Sequence, residues 1–194
     1  MTPGNFAFRE DDEDHVIAAQ VVSGQKDLFR LLVNRHERAV YGMGMSFFRN
    51  AEDASDFTQE VFLKTFRNLS QFEGRSRFST WLYKIAYNTA VNSITRKKDY
   101  QSLAENEITF NYDTPERELL RGFARDAVSE AVTELPARFR ICVDLFFFYD
   151  RSYQEIETIT GYPVNTVKSH VFRAKKVLRE KLAAFKGLAE GGAE

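Results

Sequence analysis

The chain has 194 residues, with 27 Lys+Arg against 28 Asp+Glu, a net charge of −1. A hydrophobic fraction of 43% excludes wholesale disorder, and a lone cysteine, Cys142, excludes an intrachain disulfide framework. No apolar run approaches the roughly 20 residues of a membrane span, and the acidic start, Met1 to Asp14, has no basic region or apolar core of a secretory signal. These features predict a protein of the reducing cytosol without membrane insertion. The neutral total hides a pattern. Residues 9–14 carry −4, residues 15–98 carry +6, residues 99–120 carry −5, residues 121–186 carry +4 and residues 187–194 carry −2. Two basic blocks are thus separated and flanked by acidic segments, which fits either solvated faces or two nucleic-acid surfaces.

In chain order, residues 15–98 read as mostly helical. Val16, Ala19 and Val22, then Leu28, Leu31, Leu32 and Val40, recur at helical spacing, and Gly24 separates a first helix from a second. Residues 53–69 form the clearest amphipathic helix, with Ala54, Phe57, Val61, Phe62 and Phe66 inward and Asp53 as its N-cap. Asp56 would favour its first turn through the helix dipole. Residues 70–79 read as a loop around Gly74. Thr80 to Lys98 reads as a long helix capped by Ser79 or Thr80.

Residues 99–120 lose helical periodicity and read as an acidic linker. Four further helical stretches follow, at 116–134, 137–149, 153–160 and 164–186. They are broken at Pro136, at Asp150 to Ser152 and at Gly161-Tyr162-Pro163, before a frayed tail at 187–194. There is no strand-like alternation and no repeat in the 20–50 residue range. The predicted fold class is all-α: two small helical domains joined by a flexible acidic linker.

Two segments carry chemistry. Residues 153–176 have the plan of a helix-turn-helix: a short helix with Ile156 and Ile159 inside, a Gly161 break, then a helix with Val164, Val167 and Val171 inward. Residues 164–186 hold 7 basic side chains and 1 acidic. Near the start of such a helix, side chains reach base edges while flanking cations meet phosphates. The candidates are Asn165, Thr166, Lys168, Ser169, Phe172 and Arg173. The bland reading is a helical hairpin with a solvated basic face. The second segment, residues 73–98, nets +5 and interleaves cations with Phe78, Trp81, Tyr83 and Tyr87. Cations and ring faces together suit unstacked single strands. Alternatively Trp81, Ile85 and part of the tyrosine set belong to the core. The three histidines and Cys142 show no ligand spacing or nucleophile motif, and the 10–14 acidic run lacks the glycine and spacing of a calcium loop. His36 is expected on a helix surface or core edge, and His170 on the second helix of the hairpin. No enzyme activity and no cofactor are expected.

Four motifs occur in order: Asp56-Phe-Thr-Gln-Glu60, Phe72-Glu-Gly-x-Ser-x-Phe-x-Thr-Trp81 running on to Asn88, Leu135-Pro136 with Ser152-Tyr-Gln-Glu-Ile, and Val164-Asn-Thr-Val-Lys-Ser-His-Val-Phe-Arg-Ala. Together they resemble the extracytoplasmic-function (group 4) class of bacterial sigma factors over residues 12–185. The resemblance implies a sigma-2 domain at 12–98, a linker at 99–120 in place of the large middle domain, a sigma-4 domain at 121–186 and a tail at 187–194. It implies binding to core RNA polymerase, promoter recognition and duplex opening, with an anti-sigma factor as a further partner. By position, Asp56, Gln59 and Glu60 match the polar face that docks on the clamp helices of the largest polymerase subunit. They share one helix face at i, i+3 and i+4. Gly74 to Ser79 match the loop that accepts a flipped base of the −10 element. Arg75, Ser76, Arg77, Phe78, Trp81, Tyr83 and Asn88 are its implied −10 contacts. Asn165, Thr166, Lys168, Ser169, Phe172 and Arg173 match the −35 reading helix. The 22-residue linker spans at most about 75 Å when extended, enough for two promoter elements two DNA turns of roughly 35 Å apart. Its negative charge fits a path through basic polymerase channels. A stand-alone helix-turn-helix regulator is the alternative; it would have no use for the 56–60 motif. One departure stands out. The family commonly has an Arg within a Leu-Arg segment before Ser152, whereas here Leu145 is followed by Phe146-Phe147-Phe148. That run is expected in the core, or else on a surface covered by an anti-sigma factor.

Overall fold

The computed structural model describes residues 7–101, 131–132 and 135–190. Among them there is helix and no strand. The chain divides into two compact units, with the change near residue 106. The body of the linker, and most of the helix expected at 116–134, lie outside the described residues.

The N-terminal unit packs α1 (Ala7–Val22), α2 (Phe29–Phe48), α3 (Ala51–Asn68) and α4 (Phe78–Gln101). Single 3-10 turns at Lys26–Leu28 and Leu69–Gln71 lead into α2 and out of α3. Gly24 adopts φ +117° and breaks the chain as its sequence position implies. The inward face of α1 is not the expected one. Asp14, Ile17, Ala18 and Val21 are buried, whereas Val16, Ala19 and Val22 are exposed. Both sets have helical spacing, and the buried set contains a carboxylate that hydropathy counts against it. Asp14 is 1% exposed because α2 supplies its partners: Arg35 Nη1 donates to Oδ1 at 2.8 Å and His36 Nε2 to Oδ2 at 2.6 Å. Arg35 also pairs with Glu13. Burial opposes the Arg35 charge, but hydrogen bonds to Asp14 and Glu13 outweigh it and raise its pKa.

The N-cap of α3 is Asn50, not Asp53: the Asn50 side chain accepts from the Asp53 backbone N–H at 3.0 Å. Glu52 and Asp53 then occupy the first turn, and Asp56 lies beyond it. The boundary is hard to read because α2 ends on Arg49 in the left-handed region (φ 55°), with no glycine to mark it. Helices α2 and α3 approach closely at Gly44, where an added Cβ would sit 2.7 Å from a Phe57 ring carbon and 3.2 Å from Ala54 Cα. Helix α4 starts at Phe78, so Ser79 and Thr80 lie in its first turn rather than capping it, and it runs on to Gln101.

The C-terminal unit contains α5 (Ala137–Val143), a π turn (Asp144–Phe148), α6 (Tyr153–Thr160) and α7 (Val164–Glu190). Helix α6 has the expected bounds. Ser152 and Glu155 form a reciprocal capping box at its start, and Gly161 at φ +76° ends it. The Glu157 carboxylate then accepts from the Val164 backbone N–H at 3.1 Å and closes the turn into α7. Leu135, Phe139, Val143 and Ala174 form a core, with Val177 and Leu178 packed against it. Helix α7 continues through Glu190, into the segment expected to be a frayed tail. The Phe run is not core. Only Leu145 is buried; the π turn rotates Phe147 outward and leaves Phe148 68% exposed. No helix among the described residues is long and apolar enough to cross a membrane.

Candidate nucleic-acid interface

The outward face of α7 is built by subtraction. Val167, His170, Val171 and Ala174 point inward and are buried. The remaining positions of the first three turns present Asn165, Lys168, Phe172 and Arg173 to solvent, with Thr166 and Ser169 half-buried beside them. All six expected −35 residues therefore share one face of one helix. Phe172 is 71% exposed, an aromatic side chain with no core to fill. Arg173 and Lys168 make no ion pair among the described residues. Lys175 instead lies over the rings of Phe146 and Phe147, at 5.6 and 4.9 Å. Phe146 stacks on Tyr153 with ring planes 10° apart, and Lys168 sits over Tyr153 at 5.9 Å. Phe146, at the position where the family often carries an Arg, thus packs under Lys175 of α7.

Behind this face, the Cys142 Sγ and His170 Nδ1 lie 3.7 Å apart. Burial pushes the Cys142 thiol up to about 12, so it stays protonated beside the imidazole. Burial lowers the His170 pKa, and the Arg138 and Arg173 cations lower it further. In acid the unfolded chain therefore takes up this proton before the folded unit does, and stability is lost as pH falls below the ordinary histidine value of 6.5. Chemical denaturation of the full chain should show a midpoint that drops between pH 7 and 5, and His170→Gln should flatten that drop. An equal drop in the variant would place the titrating group elsewhere.

In the N-terminal unit the 72–77 loop joins the 3-10 turn at Leu69–Gln71 to α4. Arg75 is exposed and pairs with Glu73 at 2.6 Å. Ser76 and Arg77 are half-buried, Trp81 is half-buried on α4, and Asn88 is exposed further along it. Phe78 and Tyr83 do not belong to this surface. Phe78 is 0% exposed and Tyr83 4%. Phe78 packs between Phe72 and Trp81, with ring centroids at 5.4 and 6.0 Å. Tyr83 is core, as the alternative reading of the basic-aromatic segment allowed for part of the tyrosine set; Phe78 is core too, although that reading did not include it, while Trp81 and Ile85 are half-buried. Sequence reasoning missed His15. Its Nε2 donates to the Ser76 carbonyl at 3.1 Å, and its ring meets Phe72 edge-on at 4.9 Å. The one sequence signal for it is its place next to Asp14, on the helical face that continues to Ala18.

A third surface lies on α2 and α3. Asp56 and Gln59 are exposed, while Glu60 is half-buried and pairs with Lys64 at 2.7 Å. Gln59 borders a groove of about 890 Å³ lined by Phe29, Val33, Phe62, Leu63 and Phe66. Phe66, expected inward, faces this groove and meets Phe29 at 5.0 Å.

A helical unit followed by a helix-turn-helix unit with an exposed basic face is the plan of a DNA-binding transcription factor. Comparison with known proteins gives the same class. Residues 32–100 match the family described as Sigma-70 region 2, and residues 125–178 match Sigma-70, region 4. The chain is 35% identical over 182 residues to the RNA polymerase sigma-H factor of Pseudomonas aeruginosa, covering 88% of this chain and 94% of that one. It is 33% identical over 180 residues to the ECF RNA polymerase sigma-E factor of Escherichia coli K12, covering 87% and 94%. Its fold is similar to CnrH in complex with the cytosolic domain of CnrY (TM-score 0.65, 24% identity, 88% of this chain and 97% of that one). It is also similar to the sigma factor RpoE in complex with the anti-sigma factor NepR from Bartonella quintana (TM-score 0.68, 22% identity, 80% and 96%). The chain belongs to the extracytoplasmic-function group of the sigma-70 family. It is an alternative sigma factor, which binds core RNA polymerase and directs transcription initiation at its promoters. Nothing favours the stand-alone regulator.

Proposed function

We propose that the work is divided by region. Residues 12–98 dock on the polymerase clamp and open the −10 element, residues 99–120 link, and residues 121–186 hold the −35 element. Asp56, Gln59 and Glu60 make the clamp contact, with the adjacent apolar groove receiving part of the partner. Arg75, Ser76, Arg77, Trp81 and Asn88 surround the extruded −10 base. Extrusion costs a few kcal/mol, so a shaped loop has to repay it. Asn165, Thr166, Lys168, Ser169, Phe172 and Arg173 read the −35 duplex. The protein acts in the cytoplasm, without catalysis of its own. An anti-sigma factor restrains it; the support is that two similar solved structures are complexes, one of them with an anti-sigma factor.

The observation that carries this reading is the single outward face of α7, where base-reading residue types gather opposite a buried stripe. The docking assignment has its own test. Gln59→Ala combined with Glu60→Ala should weaken core polymerase binding about tenfold, ~1.4 kcal/mol. Thermal melting should change little, since both side chains lie outside the core. Unchanged affinity in a pull-down titration would overturn the assignment.

A further inference from the structure

We infer that His15 of α1 is a positioning residue for the 72–77 loop and thereby sets how sharply the factor discriminates −10 bases. This rests on the reading of that loop as the −10 base acceptor. The loop is short, polar and exposed at Glu73, Gly74 and Arg75, and it has no regular hydrogen bonding of its own. A flexible loop would pay the entropy of ordering each time it took up a base. His15 touches it at three positions. Its ring packs edge-on against Phe72 at the loop's start. The ring lies under Gly74, where a Cβ would sit 3.5 Å from Nδ1 and 3.7 Å from Cε1. Its Nε2 donates to the Ser76 carbonyl at the loop's end.

The imidazole is itself held. Asp14, one residue earlier, is buried and tied to Arg35 and His36 of α2. His36 in turn meets Phe78, the first residue of α4, with centroids 5.5 Å apart. So α1 and α2 hold both the loop, through His15, and the helix the loop feeds, through His36. A base acceptor needs its contacts placed to within a fraction of an ångström, and such placement comes from a rigid second layer. The donor on His15 acts on a backbone carbonyl, so it fixes the path of the loop without touching DNA.

The test separates donor from ring. His15→Phe keeps an aromatic ring beside Phe72 but loses the donor. His15→Gln loses the ring but carries a side-chain N–H at similar reach. Full-length variants are assembled with core polymerase and used to select from a promoter library randomised in the non-template −10 segment. Base enrichment is read by sequencing, with core affinity and melting measured alongside. His15→Phe is expected to lower the strongest −10 base enrichment about fivefold, and His15→Gln to stay within about twofold of the parent. A parental enrichment in His15→Phe would overturn the inference. So would equal losses in both variants, because only the ring's packing would then count. The combined variant Arg75→Ala, Arg77→Ala distinguishes the underlying reading. If it leaves the −10 preference unchanged, the loop is not the base acceptor. If it alters the preference while His15→Phe does not, the loop reading stands and the role of His15 falls.

Discussion

Asp14→Ala is expected to destabilise the N-terminal unit by about 2–3 kcal/mol, seen as a lower urea midpoint. Removing one partner of a buried ion pair typically costs 3–5 kcal/mol, because the remaining charge is left without compensation. Here the cost is lower. The Arg35 side chain is a third exposed and keeps Glu13, so water and a second carboxylate recover part of the loss. His36 is more enclosed and has no such substitute among its described contacts. Asp14→Asn preserves the shape and one acceptor, and should cost about half as much. A midpoint unchanged by Asp14→Ala would show that Arg35 and His36 are hydrated without rearrangement, and the α1–α2 tie would then carry little of the fold.

Arg173→Ala should weaken binding to the cognate −35 duplex by about 1–3 kcal/mol and scrambled duplex much less. The guanidinium is exposed, makes no ion pair among the described residues, and shares its face with Ser169 and Phe172. A guanidinium can bridge guanine O6 and N7 in the major groove, and losing that pair removes sequence preference along with affinity. Lys175 and Lys176 differ in kind. One lies over aromatic rings and the other approaches Glu180 at 4.0 Å, so each has a protein partner to leave. The measurement is a competition titration at fixed salt, because phosphate contacts scale steeply with ionic strength. Equal losses on cognate and scrambled DNA would reduce Arg173 to a phosphate contact. The same variant removes one cation beside His170, which should lessen the acid sensitivity of the C-terminal unit.

Much of the C-terminal unit was legible along the chain. Helix α6 runs from Tyr153 to Thr160 as expected, because its stop and start signals are local: Ser152 with Glu155 at one end and Gly161 at the other. The outward face of α7 was legible for the same reason. Once Val167 and Val171 are inward, helical geometry alone puts Asn165, Lys168, Phe172 and Arg173 outward. The outward placement of Asp56 and Gln59, with Glu60 half-buried beside them, likewise follows from Phe57 and Val61 being inward.

The rest depended on neighbours distant in the chain. The phase of α1 was misread because Asp14 is buried only by virtue of Arg35 and His36, about 20 positions later, and no local rule admits a carboxylate to an apolar stripe. Phe78 and Tyr83 looked like ring platforms beside cations. Packing by Phe72 and Trp81 puts Phe78 in the core, leaving Arg75, Trp81 and Asn88 toward solvent. The Phe146 to Phe148 run looked like core by hydropathy, yet within a π turn Phe147 and Phe148 are exposed and Phe146 is half-buried against Tyr153. The sequence by itself determined the class, the two helical regions, the outward face of α7 and the Phe57–Val61 side of α3, since periodicity and motif order are short-range. Only the tertiary structure decided which aromatics are buried and that His15 reaches the 72–77 loop. Those depend on which helix comes to lie against which, a matter of long-range packing.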